Sequence, residues 1–124
     1  MNRSDEELTP SAKAAKEARG TGIRFAPFSC WPLAWHELVM PVLREAKLSS
    51  VRQLYIKEKF GGLRIQGGGA VLAASVIQAE RAADRACVSC GQLASRAAPT
   101  EWPLCSSCEG RPWDEVQWVD TSSS

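Results

Sequence analysis

Two C-x-x-C turns constrain this chain more than any other feature. Cys87 and Cys90 form the first, Cys105 and Cys108 form the second, and positions 91 to 104 lie between them. A two-residue gap lets both thiolates of a pair point into one tight turn. Two such turns can complete a tetrahedron of sulfurs around one ion, with Zn–S bonds of about 2.3 Å. Gly91 follows the first pair directly and permits the left-handed backbone such a knuckle often needs. The spacing predicts a zinc-ribbon or treble-clef element over 87–108, with Zn2+ as the cofactor. The alternatives are two disulfides, four unconnected thiols, or redox chemistry at either pair. The N-terminal "MNRSDEELTP" is acidic and has no apolar run, so the expected compartment is the reducing cytoplasm, where paired cysteines favour metal over disulfides. Neither pair sits in a thioredoxin-like βαβ context, which disfavours redox chemistry. A four-thiolate zinc has no position left for water, which argues against catalysis by the metal. Cys30, the fifth cysteine, adjoins Trp31 and is expected to pack as a small hydrophobe.

At 124 residues the chain suits one domain, and a core of that size benefits from a metal staple. The net charge of +1 gives no global electrostatic case for DNA, a membrane or an acidic substrate. The longest mostly apolar run, "GGGAVLAASVI", is too short to span a bilayer.

Along the chain, Thr9 and Pro10 open a helical stretch, "SAKAAKEAR", as N-cap and first helical residue, and Gly20 stops it. Its face is mostly alanine, so weak packing is expected. "GTGIRFAPF" reads as an irregular linker. "WPLAWHELVMPVLREAKL" is a stronger helix, because Trp35, Leu38, Val39, Val42, Leu43 and Ala46 form one apolar stripe. Pro41 lies off that stripe and predicts a kink toward solvent rather than a break. Residues 51–56 then alternate like a strand, Gly61 and Gly62 mark a reversal, and "LRI" returns. After the glycines at 67–69, Leu72, Val76, Ala79, Ala83 and Ala86 make a narrow helical stripe. Glu80 and Asp84, flanked by arginines, read as a solvated face. Between the cysteine pairs, "LASRA" and "TEWPL" can form the arms of a short hairpin near Pro99.

The segment "IKEKFGGLRIQGGG" lacks the G-x-x-x-x-G-K-[ST] pattern of a phosphate loop. Lys57, Lys59 and Arg64 can share one face of a hairpin and contact phosphates. The plainer reading is an exposed hairpin with a glycine turn anchored by Phe60. His36 adjoins Glu37, but neighbours on a helix point apart, and no nucleophile motif stands beside them. A surface or boundary position is expected for this histidine. A pocket gathering His36, Glu37 and Glu58 would argue for an enzyme. In the C-terminal segment, Trp113 and Trp118 are either folded back on the core or part of a partner-binding edge.

The run "YIKEKFGGLRI" and the later "ERAADRACVSCG" resemble a family of small bacterial and phage proteins that share a K-E-K-F-G-G-L-R core and a downstream C-x-x-C. The core is matched by residues 57–64 and the cysteines by Cys87 and Cys90, and the likeness spans roughly residues 30–108. Members often continue the core with aromatics, where this chain has Ile65 and Gln66. The resemblance implies an architecture and a mobile-element or bacterial-conflict setting, with no particular activity.

Taken together, the sequence predicts an α+β fold, with helices on a small antiparallel hairpin sheet and a C-terminal zinc-ribbon-like element. The expected divisions are an N-terminal extension over 1–22, one domain over 23–118, and a disordered tail over 119–124. The expected function is a non-enzymatic protein-binding module, such as an inhibitor, immunity or mobile-element accessory protein. Its candidate partner surface is Lys57, Lys59, Phe60, Arg64, Trp113 and Trp118. The alternative is a nucleic-acid-binding zinc protein using Lys57, Lys59 and Arg64 with Arg96.

Overall fold

A computed structural model describes residues 8–94, 101–110 and 113–121, the side chain of Trp113 excepted. Three helices pack on a mixed five-stranded sheet, so the fold is α+β. Helix α1 spans Pro10–Arg19 and is followed by two short strands, β1 (Arg24–Phe25) and β2 (Cys30–Pro32). A 3₁₀ turn, Leu33–Trp35, leads into α2 (His36–Leu48). Strands β3 (Gln53–Lys59) and β4 (Gly62–Gln66) form the hairpin, α3 (Gly69–Ala83) follows, and β5 (Trp118–Asp120) comes after the cysteine knuckles.

Strand β3 organises the sheet. Its one edge pairs antiparallel with β4, from Tyr55 opposite Gln66 to Lys59 opposite Gly62. Its other edge takes both β1 and β2 in parallel, with Arg24 opposite Gln53 and Cys30 opposite Lys57. Strands β1 and β2 are thus one edge interrupted by a loop. Strand β5 then pairs antiparallel with β2, placing Trp31 opposite Val119. The interruption would leave a buried amide of β3 without a partner, at a cost typical of an unsatisfied donor. Ser29 resolves this: its hydroxyl, buried in the gap, accepts from the N–H of Ile56 at 3.2 Å.

The sheet is therefore wider than a hairpin, and the linker expected at 20–28 contributes a strand to it. Two residues are too few to carry a period, which is why β1 is silent in the sequence. The helix expected from Trp31 also begins later. Trp31 precedes a proline, which disfavours its helical conformation, and Pro32 is extended at φ −59°, ψ 137°. Helix α2 runs through Pro41, which is exposed on the same side as Glu37, the residue whose carbonyl loses its helical donor.

Leu54, Ile56, Leu63 and Ile65 point from the sheet into one core with Trp35, Val39, Val42, Leu43 and Leu72 from the helical side. Helix α1, placed by sequence in an extension, contributes Ala14, Ala15 and Ala18 to the same core. Its Thr9 hydroxyl caps the Ala12 N–H at 3.1 Å, as the S/T-P start implies. A disordered tail is expected over 119–124, but its first residues are ordered in the sheet. Val119 is fully buried in β5, and the Thr121 hydroxyl donates to the Ser29 carbonyl at 2.9 Å; positions 122–124 lie outside the described residues. The solvated face expected at Glu80 also needs correcting, because its carboxylate accepts from the Ile65 N–H at 3.0 Å and so caps the free edge of β4.

The hairpin turn is Phe60–Gly61, not Gly61–Gly62. Both turn residues have positive φ, 54° and 82°, as a two-residue turn matched to strand twist requires. Gly61 carries a second constraint, since a Cβ there would stand 2.4 Å from the Glu101 carbonyl oxygen. Gly22 has a similar φ of +84° and open space around it. Gly22→Ala should therefore cost about 1 kcal/mol from conformation alone. Gly61→Ala should cost roughly 2 kcal/mol more, because backbone must move. Urea midpoints of the two variants measure the difference, and equal losses would remove the Glu101 contact from the account.

Candidate metal centre

Past α3 the chain enters a tight knuckle. Ala86 bridges Leu93 in antiparallel fashion, the Cys87 N–H donates to Gln92 O, and the Gly91 N–H donates to Cys87 O, both at 2.8 Å. Gly91 has φ +81°, as the sequence suggests, and its Cα lies against Ala34: an added Cβ would be 3.2 Å from that residue's carbonyl oxygen. The second knuckle closes on itself through Cys108 N–H and Glu109 N–H, both donating to Cys105 O at 3.0 and 2.9 Å. The Val88 N–H reaches Pro103 O at 2.8 Å and ties the two knuckles together. The turn of the hairpin expected between the pairs, positions 95–100 with Arg96 and Pro99, lies outside the described residues; the pairing seen, Ala86 with Leu93, is within the first knuckle.

These turns bring all four predicted sulfurs together. The Sγ atoms of Cys87, Cys90, Cys105 and Cys108 lie within 4.8 Å of one another, and Cys90 and Cys105 are 3.5 Å apart. Sulfurs around one tetrahedral ion stand about 3.8 Å apart, so the cluster can hold a metal ion. Cys87 and Cys108 are buried, while Cys90 is exposed. Burial pushes the Cys87 thiol up, but the N–H groups of Cys105, Cys90 and Ser89 together outweigh it and bring it down to about 6. The Gln92 N–H pulls the exposed Cys90 thiol down, yet its slight desolvation and hydrogen bonding to the three other cysteines push it up to about 12. One thiolate is thus accommodated readily and the next resists forming beside it. A bound cation would favour the thiolate form at every one of them.

The other candidate residues are distributed differently. Lys57 and Arg64 are directly opposite each other on β3 and β4, and Lys59 follows Lys57 on the same face. Phe60, expected to anchor the turn, is 63% exposed, with the Lys59 ammonium 5.9 Å from its ring centroid. Trp118 is half-buried and meets Trp102 edge to face at 5.9 Å. The Trp113 ring is outside the described residues. Cys30 is half-buried in the row that contains Lys57, and burial raises its thiol.

His36 is buried rather than at the surface. The Trp31 indole N–H donates to its Nδ1 at 3.3 Å, and its Nε2 is 2.7 Å from Glu17 Oε1. Accepting at Nδ1 fixes the tautomer with the proton on Nε2, which donates to Glu17. Both ring nitrogens are engaged. Glu37 shares a cleft with His36, but Glu58 does not, since its carboxylate accepts from the Gly61 N–H at 2.8 Å. The network missed by sequence reading, Glu17–His36–Trp31, joins residues that no spacing rule connects.

Three outcomes follow from this geometry. Cys108→Ser should lower the bound metal and the melting temperature together, since it removes a buried ligand; unchanged metal content would exclude Cys108 as a ligand. His36→Ala should cost roughly 2–4 kcal/mol by leaving a cavity and an unpaired indole N–H. Glu17→Gln should cost under about 1 kcal/mol because that side chain is half-exposed and an amide oxygen can still accept. Both losses are read from denaturant curves. Comparison of the chain with protein-family models, with curated proteins and with solved structures finds no match in any of the three.

Proposed function

We propose that this protein is a non-enzymatic binding module whose C-terminal part is held by zinc. The observation that carries the reading is the convergence of four cysteine sulfurs within 4.8 Å. An all-thiolate tetrahedral set suits zinc or a single iron, and zinc requires no redox partner and no open position. Cys87, Cys90, Cys105 and Cys108 would hold it, and its contribution would be to neutralise the thiolates and lock the two knuckles together.

Several features support a binding role over a catalytic one. The donor set is closed by four protein ligands. His36 has both ring nitrogens committed to Trp31 and Glu17. The helices cover one face of the sheet, while Gln53, Lys59, Arg64 and Gln66 of the other face are exposed. A partner surface built on Trp118 has less support, because that ring is already half-buried against Trp102. The open sheet face is the better candidate for the working surface.

Elemental analysis of protein purified without chelator should give one zinc per chain. Removing it should abolish the hydrogen-exchange protection of the knuckle amides of Val88, Gly91, Cys108 and Glu109, and added zinc should restore it. Four freely reactive thiols in a fully folded, metal-free preparation would overturn the reading.

A further inference from the structure

The open sheet face has a chemistry that identifies its partner. Side chains alternate along a strand, so Gln53, Tyr55, Lys57 and Lys59 of β3 share the outer face, opposite the buried Leu54 and Ile56. Register adds Arg24 beside Gln53, and Arg64 and Gln66 beside Lys57 and Tyr55. Four basic side chains, Arg24, Lys57, Lys59 and Arg64, therefore lie on one surface. The acidic residue that register adds to this face is Asp120, beyond Cys30 at the far strand.

The arrangement works against the fold's own stability. Like charges directly opposite on paired strands repel, and Lys57 and Arg64 are such a pair. Among the described residues neither of them forms a salt bridge. Aromatic rings border the same charges. Tyr55 stands in the middle of the basic row, half-buried. Phe60 is held at the hairpin tip at a positive φ that disfavours a side chain of its kind. Phe28, 80% exposed, sits in the loop that interrupts the neighbouring edge, also at positive φ. Large apolar rings exposed beside cations form a surface for bases stacked next to phosphates.

Building on the binding-module reading, we propose that the outer face of the sheet binds single-stranded nucleic acid, with Arg24, Lys57, Lys59 and Arg64 on the phosphates and Tyr55 and Phe60 against the bases. Charge alone would suit an acidic protein segment equally well. The rings favour nucleic acid, since every base offers a flat face. A single strand fits better than a duplex because its bases can splay onto the sheet, whereas paired bases are hidden in the stack.

The test uses the zinc-loaded full chain and a fluorescein-labelled oligodeoxythymidylate of about twelve nucleotides, read by anisotropy at about 50 and 200 mM salt. A single strand should bind with a negative salt slope of roughly 2–3, as three or four phosphate contacts give, and a duplex should bind more weakly. Lys57→Ala with Arg64→Ala should reduce affinity about tenfold and flatten the slope by roughly 1.4, two contacts' worth. Tyr55→Leu should reduce affinity roughly fivefold or more and leave the slope unchanged, because stacking releases no counterion. Arg81→Ala, on an exposed position of α3, is the control and should change nothing. Absence of binding at 50 mM salt, equal binding by the Lys57/Arg64 double variant, or binding to polyglutamate without binding to the oligonucleotide would each overturn the assignment. A chain that keeps its zinc and its melting curve while ignoring every oligonucleotide refutes the nucleic-acid partner alone. A chain whose two cysteine knuckles keep their amide protection without zinc refutes the module reading instead.

Discussion

Four thiols clustered at the end of a small domain have almost no apolar core of their own, so their position depends on how the chain is fastened on the way in. Trp35 provides the first fastening. Its ring is fully buried beneath the start of α2, and its indole N–H donates to the Ala86 carbonyl at 3.0 Å, one residue before the first ligand. Gly91 packs on Ala34 one residue before that tryptophan, and Gly61 packs on Glu101 ahead of the second pair. Each contact brings backbone against the body of the fold where a larger side chain would intervene. The metal would then lock a geometry that the core already favours, which reduces the entropy it must overcome.

The same contacts account for the glycines of the K-F-G-G turn. One of them satisfies the left-handed turn and also makes room for a second segment passing over it. A phosphate loop was the chemical alternative, and the structure gives the glycine a packing reason instead. Phe60, by contrast, takes its left-handed backbone from the turn itself, and its ring stays 63% exposed beside the Lys59 ammonium.

The parts legible in sequence were those with long periods or fixed spacings. The stripe of α2, the stripe of α3, the alternation of β3 and the cysteine spacing each repeat often enough to be distinctive. The same alternation already placed Lys57 and Lys59 together. Strands β1, β2 and β5 are two or three residues long, and their identity comes wholly from what β3 offers them. The buried histidine was illegible for a related reason. Whether His36 faces water depends on where Glu17 and Trp31 arrive, and those belong to different elements. Glu80 looked like an ordinary solvated carboxylate because its partner, the Ile65 amide, is an edge-strand donor that only the assembled sheet exposes.

Strand β5 bears on how the chain reaches this structure. Position 30 must find position 120, and the knuckles lie on the connection between them. Closing so long a loop is slow, and topologies dominated by distant pairings fold late and expose their edges meanwhile. An ion held by the two cysteine pairs would join 87 to 108 and take that span out of the search. On this view the metal acts on the denatured ensemble as much as on the finished fold, and its scarcity would be felt first as sluggish folding and a longer exposure of the β2 edge.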